Sequence, residues 1–385
     1  MTTTPTLLLA ATDPIVRDTA LMCLLTDVPG AVALRYDLLV DSPGSARRVT
    51  MTATGVHEDV VIDLEHTCVT CGTNEDIVTA GDRAISSLGA SSLIVANPIA
   101  APTHGTARVV DRSQTLRLAA VLAACDTTGL LDDLLGDDLL SERGLQLTPD
   151  DDRAVGQALA AQIGHADFIL TANSRPAGIG SELVDHVRAL DSHRVDGFTS
   201  VDLSVLLEHQ HHVDTGLQRI DPLCIVPEAR PAEGVVWTLH LRNDRPFHPE
   251  RLRSHMRDLA LGGTFNRGHF WLATRPFTAC AWEGVGGQLS IGAIGDWGPR
   301  DPRTHLAFTG TDPAVRQQVV EAFESSLLTA DEMAAGPQGW LDLADDYDPW
   351  LGSRPGSGAT GVVFHDLVNP CLGSSLTLQG CRRTG

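Results

Sequence analysis

Short apolar runs separated by helical stretches fill the chain up to about residue 200, and this alternation restricts the fold more than any single residue does. Residues 6–10 form an apolar run that breaks at Ala11, Thr12, Asp13 and Pro14, and residues 16–25 then carry helical periodicity. Further apolar runs stand at 31–39, 60–64, 93–96, 118–125 and 168–172, with helical stretches at 74–87 and 153–163 between them and another at 201–207. Strands alternating with helices pack as a mostly parallel sheet covered by helices on both faces. A strand, a loop and a helix in that order is how nucleotide-binding α/β domains open.

The pattern changes after Asp202. A polar, proline-containing connection follows, and composition places a domain boundary near residue 228. The expected organisation is an α/β domain over 1–228, a smaller α+β module over 229–335 and an irregular, flexible tail over 336–385. In the second module 235–241 reads as a strand and 249–261 as a helix with Pro249 in its first turn. Segments 264–274, 279–283 and 288–294, separated by Arg-Pro and Gly-Gly turns, read as an antiparallel meander. Residues 304–309 add a strand, Asp312 and Pro313 open a helix to about Leu327, and Thr329 with Glu332 has capping-box spacing.

The chain has 385 residues, which exceeds what one core usually serves, and 43% hydrophobic residues, which suffices for a sizeable interior. Net charge is −21, and all 28 basic residues are arginine. Phosphate backbones attract clustered cations, so a chain this acidic is a poor candidate for broad direct contact with nucleic acid, and partners should be basic proteins, cations or neutral small molecules. Ordinary solubility accounts for the acidity equally well, and the acidic cluster at 132–152 reads as a solvated face. No apolar run approaches the roughly 20 residues that span a bilayer. Eight cysteines and no charged-then-apolar leader lead to the expectation of a reducing cytoplasm and no membrane.

Chemistry concentrates at His66, Cys68 and Cys71, in the stretch from Leu64 to Asp76 that follows the apolar run at 60–64. Zinc is held by thiolate and imidazole, and two cysteines three positions apart can share one ion in a turn. A lone Cys-x-x-Cys pair cannot close a site, so His66 or a distant ligand must complete it; the other reading is a reduced, packed pair at a strand-to-helix turn. His209, His211 and His212 beside acids could scavenge metal, or could be incidental histidines on an exposed linker. Cys23, Cys125, Cys224 and Cys280 fall in apolar or strand-like settings and read as core.

These motifs resemble those of the CobW family, GTPase-derived proteins of metal homeostasis, over residues 5–335. The family's metal loop carries Cys-x-Cys-Cys after a strand; here Cys68 and Cys71 stand for its first and last thiols and Thr70 for the middle one. The match is closest in the second module: Arg245, Pro246, Phe247, His248 and Pro249, then 267–276 with Phe270 and Trp271, then Trp282, then Gly295, Asp296 and Trp297. Phe270, Trp271 and Trp282 can anchor a core or a contact face. The resemblance implies a P-loop-NTPase-like first domain, a CobW-type C-terminal domain and a Zn²⁺ site at Cys68, Cys71 and His66.

The family's nucleotide machinery is largely missing. A P-loop needs glycines whose amides wrap phosphate, a lysine for the β and γ oxygens and a Ser or Thr on Mg²⁺. Residues 11–19 contain neither glycine nor lysine; Asp13 and Asp18 would face phosphate charge, Pro14 removes an amide, and Arg17 is a poor substitute for lysine. Asn97 and Pro98 stand where an acidic residue and Ser-Gly are expected, and Asn173, Ser174 and Arg175 lack the carboxylate that reads guanine. GTP and Mg²⁺ are therefore not expected. Within the family the pattern is similar to an actinobacterial branch that includes factors recruiting a ribosome hibernation protein, which implies a role under zinc starvation and a protein partner. The leading expectation is a zinc-responsive, non-catalytic adaptor. Its alternatives are a working GTP-dependent zinc metallochaperone and, from another class, an oxidoreductase on a dinucleotide fold, which lacks its glycine-rich turn.

Overall fold

A computed structural model of the chain describes residues 3–28, 30–39, 42, 44–64, 69–173, 177–226, 234–260, 263–285 and 287–354, with the backbone alone at 69–71. The elements are β1 (Thr4–Ala10), α1 (Pro14–Asp27), β2 (Ala31–Leu38), β3 (Ser45–Thr52), β4 (Gly55–Asp63), α2 (Val69–Leu88), β5 (Ser92–Ala96), α3 (His104–Asp111), β6 (Leu116–Cys125), α4 (Leu130–Leu135), α5 (Val155–His165), β7 (Phe168–Thr171), α6 (Ile179–Val187), β8 (His193–Asp196), α7 (Leu203–Glu208) and α8 (Val213–Ile220). The second part contains β9 (Trp237–Asn243), α9 (Pro249–Ala260), β10 (Phe265–Trp271), β11 (Thr278–Val285), β12 (Gln288–Asp296), β13 (Thr304–Gly310), α10 (Pro313–Ser326), α11 (Ala330–Ala334), α12 (Gly336–Trp340) and α13 (Asp348–Leu351).

The eight strands of the first sheet run in the order β4-β3-β2-β5-β1-β6-β7-β8. Pairings from β2 through β8 are parallel, and β3 and β4 add an antiparallel hairpin at one edge. Alternation along β1 explains why both faces need cover. Leu7 and Leu9 pack with Val16, Ala20, Leu21 and Leu24 of α1, while Leu8 between them is equally buried on the opposite side. The direction in which strands are added reverses at β1: the chain leaves it toward β2 and later returns past it to β6, so its carboxyl end is the crevice where open α/β sheets bind ligands.

The second sheet is antiparallel, in the order β12-β11-β10-β13-β9. Phe270, Trp282, Leu306 and Phe308 bury one face against Leu252, Met256 and Leu259 of α9 and Val319 and Phe323 of α10. Trp282 Nε1 donates to Asn266 Oδ1 at 2.6 Å, which satisfies a polar group that burial would otherwise penalise. Phe270 and Trp282 are thus core, and Trp271 is half-buried. Asp312 caps α10, and Thr329 and Glu332 form the capping box of α11.

The two compact units meet between Ile220 and Asp221, the second also taking in Leu135–Asp137. Residues 336–352 are packed, against the expectation of a flexible tail. Trp340, Tyr347 and Leu351 are buried, Arg275 reaches Asp348 Oδ1 at 2.6 Å and Gly352 O at 2.5 Å, and Tyr347 Oη donates to Pro249 O at 3.2 Å. Residues 355–385, where that expectation also fell, lie outside the described residues. Among the described residues no helix is long and apolar enough to cross a membrane.

Candidate functional site

The carboxyl end of β1 is filled by the chain's own side chains. Asp13 is the N-cap of α1, and its Oδ1 accepts from Ile15 N at 2.7 Å and Val16 N at 2.9 Å. Pro14 has no amide hydrogen, and Arg17 N bonds Asp13 O at 3.0 Å. Every donor of the first turn is therefore absent or engaged, whereas helix starts that bind phosphate leave those amides free. The sequence reading had Asp13 facing phosphate; instead it folds back as a cap, for which an extended Asp followed by Pro at the first helical position is well suited.

Arg17 turns inward and is only 2% exposed. Its Nη1 donates to Tyr36 O at 3.1 Å and Asn97 O at 3.3 Å, its Nη2 to Asp37 Oδ1 at 2.6 Å and its Nε to Asp18 Oδ1 at 2.9 Å. Arg35 closes the ring, 3.0 Å from both Asp18 Oδ2 and Asp37 Oδ2. The one cation of the 11–19 segment thus ties α1 to β2 and to the turn after β5. That turn is laced down in its own right: Asn97 Nδ2 reaches Thr106 Oγ1, Gln162 Nε2 bonds Ala101 O at 2.9 Å, and Ala100 N bonds Ala11 O at 3.0 Å. Ala100 has φ +59°, a left-handed conformation that glycine adopts freely and alanine does not. Of the guanine-reading stretch, Ser174 and Arg175 lie outside the described residues, and Asn173 O accepts the Thr171 hydroxyl at 3.0 Å.

His66 and Cys68 lie outside the described residues, as does the side chain of Cys71, whose backbone sits in the first turn of α2. What frames them is described. A Cβ on Gly72 would come within 2.7 Å of Leu64 Cβ, so only glycine lets the start of α2 close against the exit of β4. The ends of the 65–71 segment are thereby pinned together. Beyond it, Asn74 Oδ1 accepts from Thr106 at 2.8 Å, and Asp76 takes Arg48 Nη1 at 2.5 Å and Tyr36 Oη at 2.8 Å. Burial, with the Asp76 charge added, pushes the Tyr36 hydroxyl well above its ordinary range and keeps it a donor. Cys68 directly precedes the first residue of α2 and Cys71 is its third, so the pair is spaced for a helix start, where the macrodipole favours thiolate. Two thiols and an imidazole are donors of the kind that hold a zinc ion.

Elsewhere, no three His, Cys, Asp or Glu among the described residues are grouped to hold a metal. Burial pushes the thiols of Cys125 and Cys280 up to about 12, which leaves them protonated and supports their reading as core. The histidine tract is not an exposed linker: His211 is buried, its Nδ1 is 2.8 Å from Asp167 Oδ2, and its amide bonds Ala119 O. Arg219 and His211 hold the Asp167 carboxyl well below its usual range despite the opposing effect of burial. No local pattern in the sequence marks this network, since its members come from the ends of β6, α5 and α8.

The fold is a mostly parallel α/β sheet whose β1 crevice is filled by the chain's own side chains, followed along the chain by an antiparallel α+β module. Residues 236–327 match the family described as the cobalamin synthesis protein cobW C-terminal domain. The chain is 27% identical over 272 residues to the zinc chaperone Rv0106 of Mycobacterium tuberculosis, across 61% of this chain and 62% of the relative. The same figures relate it to the uncharacterized protein Mb0109 of Mycobacterium bovis, so the chain spans 62% of the length of the mycobacterial relatives it matches. The zinc-bound YjiA GTPase of E. coli aligns with 85% of this chain and 100% of its own at 14% identity and a TM-score of 0.34, too loosely to place any residue.

Proposed function

We propose that this chain is a zinc-responsive CobW-type adaptor whose nucleotide site has lapsed and which acts by protein contact. The observation that carries the reading is the filled crevice, with Asp13 on the Ile15 and Val16 amides and Arg17 buried in an ion-paired ring. Phosphoryl transfer depends on positioning and charge neutralisation, and a site whose amides and cation are both committed elsewhere supplies neither. GTP and Mg²⁺ do not fit these residues, and no catalytic role is assigned to them. Zinc would be held by Cys68 and Cys71 with His66, and bound there it would close the 65–71 segment between Leu64 and Gly72. Similarity to the mycobacterial zinc chaperone supports a zinc-related role. The setting proposed is the cytoplasm under zinc limitation, with a ribosome-associated or hibernation protein as partner.

Equilibrium dialysis of the full chain against zinc tests this. The adaptor reading expects binding tighter than about 1 μM that is lost in the Cys68→Ser, Cys71→Ser variant; equal binding by both proteins overturns it. The second reading is a GTP-dependent zinc metallochaperone, as the mycobacterial relative is a zinc chaperone, and zinc-stimulated phosphate release from GTP above a protein-free control would favour it.

A further inference from the structure

Four strands end the two sheets, and one of them is open in a way the others are not. β8 has only the four residues His193–Asp196, and α13 packs against β12. The residues of β9 are mostly half-buried. β4 pairs with β3 on one side, has no strand on the other among the described residues, and exposes Val56 and Val61 by 61% and 62%. A free edge presents unpaired amide and carbonyl groups, and folded proteins usually blunt it with proline, inward charge or a short strand. The nine residues of β4 contain no proline, and its half-buried charge, Glu58, is already paired with Arg48 at 2.7 Å.

Register makes the edge more specific. A shift opposite Thr50 and Met51 leaves His57 as the extra residue, and from Glu58 to Asp63 the pairing with β3 runs unbroken. Over that stretch Glu58, Val60 and Ile62 are half-buried on one face, while Asp59, Val61 and Asp63 are exposed on the other. The exposed face therefore reads acid, apolar, acid at a spacing of two. Arg47 of β3 holds Asp59 at 2.7 and 2.5 Å, and among the described residues Asp63 accepts the Ser45 hydroxyl at 3.2 Å. A second copy of this strand would set carboxylates against carboxylates, which is unfavourable between neighbouring strands. An extended segment with basic, apolar and basic residues at alternate positions would instead match both the charges and Val61.

We propose that the β4 edge is a docking site for an extended basic segment of a partner protein, which adds as a further strand beside Glu58–Asp63. This rests on the reading that the chain works by protein contact, and it places that contact on the first unit. The partner is recognised by main-chain pairing, with side chains supplying the selection.

The test uses the full chain and a fluorescent peptide Thr-Lys-Thr-Ile-Thr-Lys-Thr, followed by anisotropy and by hydrogen exchange. Saturable binding with slowed exchange confined to 58–63 is expected. The same residues reordered as Lys-Lys-Ile-Thr-Thr-Thr-Thr, and a fully N-methylated copy of the original, should bind far more weakly, because one loses the alternation and the other its donors. Asp59→Lys with Asp63→Lys, both exposed positions, should weaken binding about tenfold. Equal binding of the N-methylated or reordered peptide, slowed exchange at β8, β9 or β12, no binding, or sedimentation as a dimer broken by the double variant would each overturn the proposal. Zinc and nucleotide binding decide the adaptor reading separately, so a failure of either is distinguishable.

Discussion

Arg17→Met isolates the role assigned to the buried guanidinium, because methionine retains much of the apolar stem and removes every donor. Four hydrogen bonds disappear, but their costs differ. Asp18 and Asp37 each keep Arg35 at 3.0 Å, so neither carboxylate is left without a cation. The loss falls on Tyr36 O and Asn97 O, both acceptors at the buried seam between α1, β2 and the turn after β5. A buried polar group deprived of its partner costs about 1–3 kcal/mol, so roughly 2–6 kcal/mol is expected for the two. With a urea dependence of roughly 2–3 kcal/mol per molar, the midpoint should fall by about 1–2 M. The assay can be made specific to one unit, since all six tryptophans lie at or beyond Trp237 and report on the second unit alone. Far-UV circular dichroism should show the destabilised transition while tryptophan fluorescence stays in place. An unchanged dichroism midpoint, or a tryptophan transition displaced by the same amount, would refute the reasoning.

Ala100→Gly should stabilise the first unit by about 0.5–1 kcal/mol, because it relieves a left-handed φ of +59°; a lower melting temperature would contradict this. Burial, reinforced by His211 and His104, pushes the His165 imidazole down to about 3 from its ordinary 6.5. The unfolded chain then binds a proton that the folded chain refuses, so this group costs stability as pH falls from about 6.5 toward 3, by up to about 1.4 kcal/mol per unit. His165→Asn should give a shallower loss by dichroism between pH 6.5 and 4, and parallel slopes would refute it. Arg17→Lys, which places an ammonium in the segment, should leave GTP unbound, because the Ile15 and Val16 amides stay capped by Asp13; GTP binding by this variant would contradict it.

Most of the architecture is legible in the residues, and the failures have physical causes. β1 and α1 are written into an apolar run closed by Asp13 and Pro14, and the meander of β10, β11 and β12 into segments bounded by Arg-Pro and Gly-Gly. β3 is not legible, because Arg47 and Arg48 interrupt its apolar pattern; Arg48 is buried only because Asp76 and Glu58 arrive from α2 and β4 to pair with it. β8 is too short to show a period. The 336–352 segment reads as solvated because its anchors Trp340, Tyr347 and Leu351 are scattered among acids, and Arg275, which neutralises two of those acids, is distant in sequence. At the crevice, the loss of glycine and lysine was readable. The stronger fact, that Arg17 is spent on Tyr36 O, Asn97 O and Asp37 in place of a ligand, depends on β2 and the β5 turn meeting α1.

The most direct test of the central claim is a calorimetric titration of the full chain with GTP and Mg²⁺. A crevice whose donors are committed internally predicts no saturable heat up to about 1 mM nucleotide, with or without zinc. A micromolar dissociation constant that Asp13→Ala strengthens would show that the cap yields to phosphate, and the account would be wrong.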